Sequence, residues 1–126
     1  MNRIVLALGS VLVLGGLAHF YGVTRLYLSE GLPDANRILL DLWIGETQVV
    51  AGVFYLAAYR ARSRDAIGRA WAIAGAVTVL ACMLPFLPVL FSRAPIAFRV
   101  APAAYAVASA LILWKATTRQ LNGEHT

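Results

Sequence analysis

The segment from Leu39 to Arg64, LLDLWIGETQVVAGVFYLAAYRARSR, decides the fold of this chain. Roughly twenty apolar-leaning residues are followed by a cluster of arginines, which is the pattern of a transmembrane helix that ends at a basic loop. Asp41 and Glu46 lie inside the apolar run. A carboxylate in the hydrocarbon region costs on the order of 3 kcal/mol, so each acid is a candidate functional group for which a partner is expected.

The overall composition predicts the same class of protein. Of the 126 residues, 60% are hydrophobic and 13% are charged, and the mean hydropathy is +0.72. This leaves too little polar surface to cover a soluble globule of this size. The net charge of +5 comes from basic residues at the ends of apolar runs, so the lipid bilayer is an expected partner and nucleic acid is not.

Three further apolar segments complete a predicted all-α fold, an integral membrane bundle of four transmembrane helices. We expect one membrane domain over residues 1–126, with helices at about 4–22, 38–59, 70–90 and 96–114. The segment Val23–Arg37 contains Gly31, Pro33 and Asp34 and is predicted to be a loop.

The first apolar segment also has features of a cleavable signal peptide. It has a basic start, an apolar centre and a small-residue site at Gly16-Leu17-Ala18. The apolar run continues through Tyr21, however, and a full transmembrane helix fits it, which is the interpretation we adopt.

The distribution of basic residues predicts the orientation. With four spans, the side of the termini carries seven Lys and Arg residues and the other side carries four, which favours both termini in the cytoplasm of a multi-pass protein of the bacterial inner membrane. The seven are Arg3, Arg60, Arg62, Arg64, Arg69, Lys115 and Arg119, and the four are Arg25, Arg37, Arg93 and Arg99.

Polar residues of different predicted helices fall at similar depths. At about 1.5 Å per residue, His19, Asp41 and Arg99 lie roughly 5 Å below the outer boundary, while Glu46 lies about 12 Å and Tyr105 about 14 Å below it. Together they predict an outward-opening cavity with a polar floor. The candidate catalytic residues are Glu46, His19 and Asp41, and the candidate ligand-binding residues are Trp43, Gln48, Arg99, Tyr105 and Tyr21.

Simpler interpretations of the same residues stay open. Asp41 and Arg99 can form an interfacial ion pair, and His19 can be a structural histidine. An aromatic belt at the membrane boundary is the simpler interpretation of Tyr21, Tyr27, Trp43 and Trp114.

Three stretches carry a resemblance to a known family: GGLAHFYG (15–22), GLPDANRIL (31–39) and WIGETQVVAGVFYLAAYRARSRDAIGRAWA (43–72). They resemble the DoxX-like group of small four-helix bacterial membrane proteins, in which a Gly-x-x-His-Phe ends the first helix and an acid lies in the second. On this resemblance His19 and Glu46 match the family's His and Glu positions. The resemblance implies a helical bundle associated with membrane redox or stress complexes, and it does not imply a cofactor.

Several functions fit these features. The chain is expected to be a membrane subunit or a small-molecule binder, in which His19 and Glu46 hold the head group of a quinone-like or lipid-like ligand, or contact a partner in a homo-oligomer or membrane complex. The alternative is an enzyme that isomerises, cyclises or hydrolyses an isoprenoid-like substrate, with Glu46 as general acid or base and His19 as its proton partner. A proton-coupled transporter is a weaker alternative, because four short helices would have to dimerise to form a path.

No metal or cofactor is expected from the residues. Cys82 is the only cysteine, which excludes a multi-cysteine site within one chain. The two histidines, His19 and His125, lie on opposite sides of the membrane in the predicted topology, so they cannot both ligate one haem.

Overall fold

The structure is a computed structural model that describes residues 2–61, 65–84 and 96–123, with side chains for 3–61, 65–84, 96 and 100–118. The described residues form four helices: α1 (Asn2–Glu30), α2 (Ala35–Arg60), α3 (Ala66–Met83) and α4 (Ile96–Gly123). All four are long and apolar enough to cross a membrane. The predicted all-α fold with four transmembrane helices is confirmed.

The first loop is much shorter than the sequence suggested. The prediction of a loop over Val23–Arg37 is wrong, because α1 continues to Glu30 and α2 begins at Ala35. The polar residues at the end of α1 lie on a part of the helix that extends beyond the hydrocarbon layer. The 29 residues of α1 make a helix of about 43 Å, whereas the hydrocarbon layer is about 30 Å thick.

The turn between α1 and α2 is defined by residues with specific roles. Gly31 adopts a φ of 91°, a conformation that only glycine adopts readily, and its N–H donates to the Tyr27 carbonyl at the end of α1. The Asp34 side chain then accepts from the backbone N–H of Arg37 and caps the start of α2. The result is a tight helical hairpin.

The other helices also differ from their predicted bounds. α3 begins at Ala66 rather than at residue 70, and the predicted end of that helix at residue 90 lies outside the described residues. α4 begins at Ile96 as predicted, but it extends to Gly123 instead of ending at Trp114.

Paired glycines bring α1 and α2 into backbone contact. Gly9 lies against Gly52, and Gly16 lies against Gly45. A Cβ placed on Gly52 or on Gly16 would lie 2.8 Å from the carbonyl oxygen of the opposite glycine, so neither position has room for a side chain. The spacing of seven residues on both helices fixes the register of the hairpin.

The core of the bundle extends from α1 through α2 and α3 to α4. Tyr55 is fully buried at its centre, where its hydroxyl donates to Ser109 Oγ at 2.8 Å and its ring packs over Gly75. The buried hydroxyls therefore satisfy each other. The surrounding apolar core consists of Val5, Leu8, Leu12, Ala51, Ala58, Ala72, Ala76, Val79 and Ile112.

Candidate functional site at the α1–α2 hairpin

Asp41 of α2 is the centre of a polar cluster formed with α1. His19 Nε2 lies 3.0 Å from the backbone carbonyl oxygen of Asp41 and 3.9 Å from its carboxylate. A carbonyl oxygen only accepts hydrogen bonds, so this contact requires the proton on Nε2. In the neutral ring Nδ1 is then the acceptor.

Two more residues hold the Asp41 carboxylate. The Tyr27 hydroxyl donates to Oδ2 at 2.5 Å, and Arg37 Nε lies 3.9 Å from the same oxygen, one helical turn away on α2. The Asp41 side chain is only 16% exposed, whereas the Arg37 side chain is 60% exposed. Asp41 is therefore hydrogen-bonded from α1 and ion-paired within α2, while the exposed Arg37 side chain stays available for other partners.

The sequence produces this arrangement through the geometry of the hairpin. His19 and Tyr27 are eight residues apart on α1, which separates them by about 80° around its axis, and both reach Asp41 of α2. The close contact of Gly16 with Gly45 brings α2 near enough for both side chains to reach Asp41. The register set by the glycines thus positions the cluster.

A cavity of about 190 Å³ adjoins the cluster at the turn. Its polar lining comes from Tyr27, Glu30 and Arg37, and its remaining wall is formed by Leu26, Gly31, Leu32 and Pro33. This volume is below the roughly 300–1,000 Å³ of sites that enclose a whole drug-sized ligand. The cavity therefore suits a head group or another small polar moiety, with any long tail left outside.

The cluster lies near a membrane boundary. α2 has 26 residues and is about 39 Å long, so a helix centred on a hydrocarbon layer of about 30 Å places Asp41 about 5 Å inside its edge. The cavity lies further out, toward the turn. A molecule in this cavity would have its polar part at the boundary and its apolar part against the lipid-facing helices.

Glu46 does not join this cluster. It lies five residues after Asp41, which is about 140° around the axis of α2, and its side chain is exposed. It makes no hydrogen bond or ion pair with any residue that the structure describes. Trp43, three residues earlier, shares this exposed face, as the spacing predicts.

The other predicted site residues are also dispersed. Gln48 packs over Gly15 on the face toward α1, and Tyr105 is partly buried against the bundle core. Tyr21 is exposed. Arg99 lies on α4, but its side chain is outside the described residues. The structure brings His19 and Asp41 together, and it does not bring Glu46, Tyr105 or Tyr21 to them.

Sequence reasoning missed Tyr27, Glu30 and Arg37 as parts of the site. The sequence predicts Tyr27 as an interfacial aromatic, and the predicted loop Val23–Arg37 contains all three residues. The available signal was the run from Val23 to Glu30, which contains neither Gly nor Pro and so can continue a helix. With α1 extended through this run, Tyr27 lies about two turns after His19 and, like His19, can reach Asp41.

No family model, curated protein or solved structure matches this chain. The resemblance to DoxX-like proteins therefore stays a prediction. Among the described residues, no three His, Cys, Asp or Glu side chains come together in a way that could hold a metal ion.

Proposed function

We propose that this protein binds an apolar small molecule, quinone-like or lipid-like, by its polar head group in the cavity at the α1–α2 turn. One observation carries the proposal. Tyr27 donates a hydrogen bond to Asp41 and Arg37 forms an ion pair with it, and both residues line a head-group-sized cavity at the membrane boundary.

The chemistry of the cavity defines the head group. Arg37 offers N–H donors to a carbonyl or phosphate oxygen, while Glu30 accepts from a hydroxyl or ammonium group. Because the Tyr27 hydroxyl donates its hydrogen bond to Asp41, its oxygen presents lone pairs to the ligand. A head group with both an acceptor and a donor, such as a quinol or a lipid with a hydroxyl or amine, fits this lining best.

His19 and Asp41 act as positioning residues in this account. They do not line the cavity: Asp41 accepts the hydrogen bond of Tyr27 and forms an ion pair with Arg37, and His19 contacts Asp41. The acid-base alternative gains no support from the geometry, since His19 contacts α2 at Asp41 and Glu46 lies about 140° around α2 from Asp41. We therefore favour a binder over an enzyme that uses these two residues together.

The cellular setting is part of the proposal. The Lys and Arg distribution supports a location in the bacterial inner membrane with both termini in the cytoplasm, which places the cavity on the outer side. The resemblance to DoxX-like proteins is consistent with a role beside membrane redox or stress complexes.

The test is to identify small molecules that purify with the protein. Wild type, Arg37→Gln and Arg25→Gln are extracted in native-lipid particles, and quinones and lipids are quantified by mass spectrometry relative to the bulk membrane. Arg25 is an exposed arginine of α1 outside the cavity, so it is the matched control. Loss of a charge-assisted hydrogen bond of about 1.5–3 kcal/mol corresponds to roughly 10- to 150-fold weaker binding.

We expect one head-group class to be enriched in wild type and Arg25→Gln and depleted in Arg37→Gln. Equal profiles in all three proteins, matching the bulk membrane, would contradict the proposal.

A further inference from the structure

One stripe of exposed residues runs along α2 away from α1 and α3. Its members alternate at spacings of four and three residues, and Glu46 is at the centre: Leu39, Trp43, Glu46, Val50 and Val53, here called the Glu46 stripe. Spacings of four and three place residues on one seam that packs against a near-parallel helix at about +20°. The stripe is thus shaped to contact another transmembrane helix.

Glu46 makes no hydrogen bond or ion pair with a residue that the structure describes, although its helix places it deep in the bilayer. It lies about 2 Å from the midpoint of α2, so a centred helix puts its carboxyl near the middle of the bilayer. The arginines of the same helix are Arg37 and Arg60, nine and fourteen residues away, or about 14 and 21 Å along the axis, which is beyond side-chain reach. Lipid tails offer no hydrogen bonds at this depth.

We propose that a second copy of this chain packs along the Glu46 stripe, so that the two Glu46 carboxyls hydrogen-bond to each other. Two copies inserted in the same direction hold Glu46 at the same depth, and a two-fold axis along the membrane normal brings identical residues together. A protonated carboxyl is both donor and acceptor and therefore complements a second carboxyl. The hydrogen bond requires one carboxyl of the pair to be protonated, because a carboxylate has no donor.

The distribution of charge along the Glu46 stripe favours a second copy of this chain, rather than a different protein, as the partner of the stripe. Glu46 is the only charged residue of the stripe, and the other four residues are apolar or aromatic. An identical stripe satisfies this pattern without any further group. A foreign helix would have to supply a lone donor at the same depth.

The first experiment measures disulfide cross-linking in native membranes. Val50→Cys is placed in a Cys82→Ser background, which removes the native thiol while keeping a hydroxyl beside Thr47. The matched control is Val107→Cys, an exposed valine near the middle of α4. We expect mild oxidation to give a covalent dimer for Val50→Cys and little dimer for Val107→Cys. Equal cross-linking at both positions, or adducts of Val50→Cys with other proteins only, would overturn the proposal.

The second experiment tests the role of the carboxyl. The dimerisation constant in lipid vesicles is measured by energy transfer for wild type, Glu46→Gln and Glu46→Leu. An amide retains a donor and an acceptor, so Glu46→Gln should stay within a few-fold of wild type, whereas Glu46→Leu should dimerise about 3- to 30-fold more weakly. A monomeric wild type, or a Glu46→Leu variant that dimerises as well as wild type, would overturn the proposal. Ligand enrichment at the hairpin is a separate readout, so this result does not decide the proposed function.

Discussion

Because α1 and α2 are in backbone contact at Gly16, we predict that Gly16→Ala destabilises the hairpin. The added Cβ would lie 2.7 Å from Val49 Cγ2 and 2.8 Å from the Gly45 carbonyl oxygen. Carbon makes comfortable contacts at about 3.5–4.0 Å, so the two helices must move apart by more than roughly half an ångström. The obstacle includes backbone, which cannot rotate away as a long side chain can.

The magnitude follows from comparison with a second glycine of α1. Overpacking of this kind costs about 1–3 kcal/mol, whereas replacing a helical glycine with alanine gains up to about 1 kcal/mol in helix propensity. Gly22→Ala shares the gain without the clash, because its Cβ would meet nothing within 4 Å. The difference in unfolding free energy between the two variants should therefore be about 1–3 kcal/mol.

The assay is reversible unfolding in mixed micelles by titration with a denaturing detergent, followed by circular dichroism. Gly16→Ala should unfold at a lower detergent fraction than Gly22→Ala, with the free-energy difference given above. Equal stability of the two variants would refute the glycine-paired packing of α1 on α2.

Three further outcomes follow from other contacts. Tyr55→Phe and Ser109→Ala should each lower the unfolding free energy by about 1–3 kcal/mol and the double variant by less than their sum, because each single change leaves a buried polar partner unsatisfied; a double-mutant cycle in the same titration measures this. Asp34→Ala should cost about 1 kcal/mol by removing the cap of α2, and no change in the titration midpoint would argue against that cap. A reporter active only in the cytoplasm should be active after Thr126 and silent when inserted at Gly31, and an exchange of the two results would reverse the orientation.

The fold could be predicted because apolar segments of sufficient length have few alternatives to transmembrane helices. The bounds of α1 could not, because polar residues such as Arg25 and Glu30 are equally compatible with a loop and with a helix that emerges from the hydrocarbon. The end of α1 is better predicted by the first helix breaker, Gly31, than by the polarity of the residues before it.

The site was predictable in part. Depth counting put His19 and Asp41 in one layer, and the structure brings them into contact. The direction of Glu46 was not predictable from depth, because it depends on which face of α2 meets α1. Gly45 and Gly52 determine that face, and their pairing with α1 becomes visible only in the packed hairpin.

Photolabelling tests the central claim, that the hairpin cavity holds a head group, most directly. Quinone and phospholipid analogues with a photoreactive head are irradiated with the protein in vesicles, and the labelled peptides are mapped by mass spectrometry. We predict labelling within Leu26–Arg37 by one analogue class, retained in Arg25→Gln and lost in Arg37→Gln. Labels spread over the lipid-facing surfaces of all four helices, and unchanged in Arg37→Gln, would contradict the account.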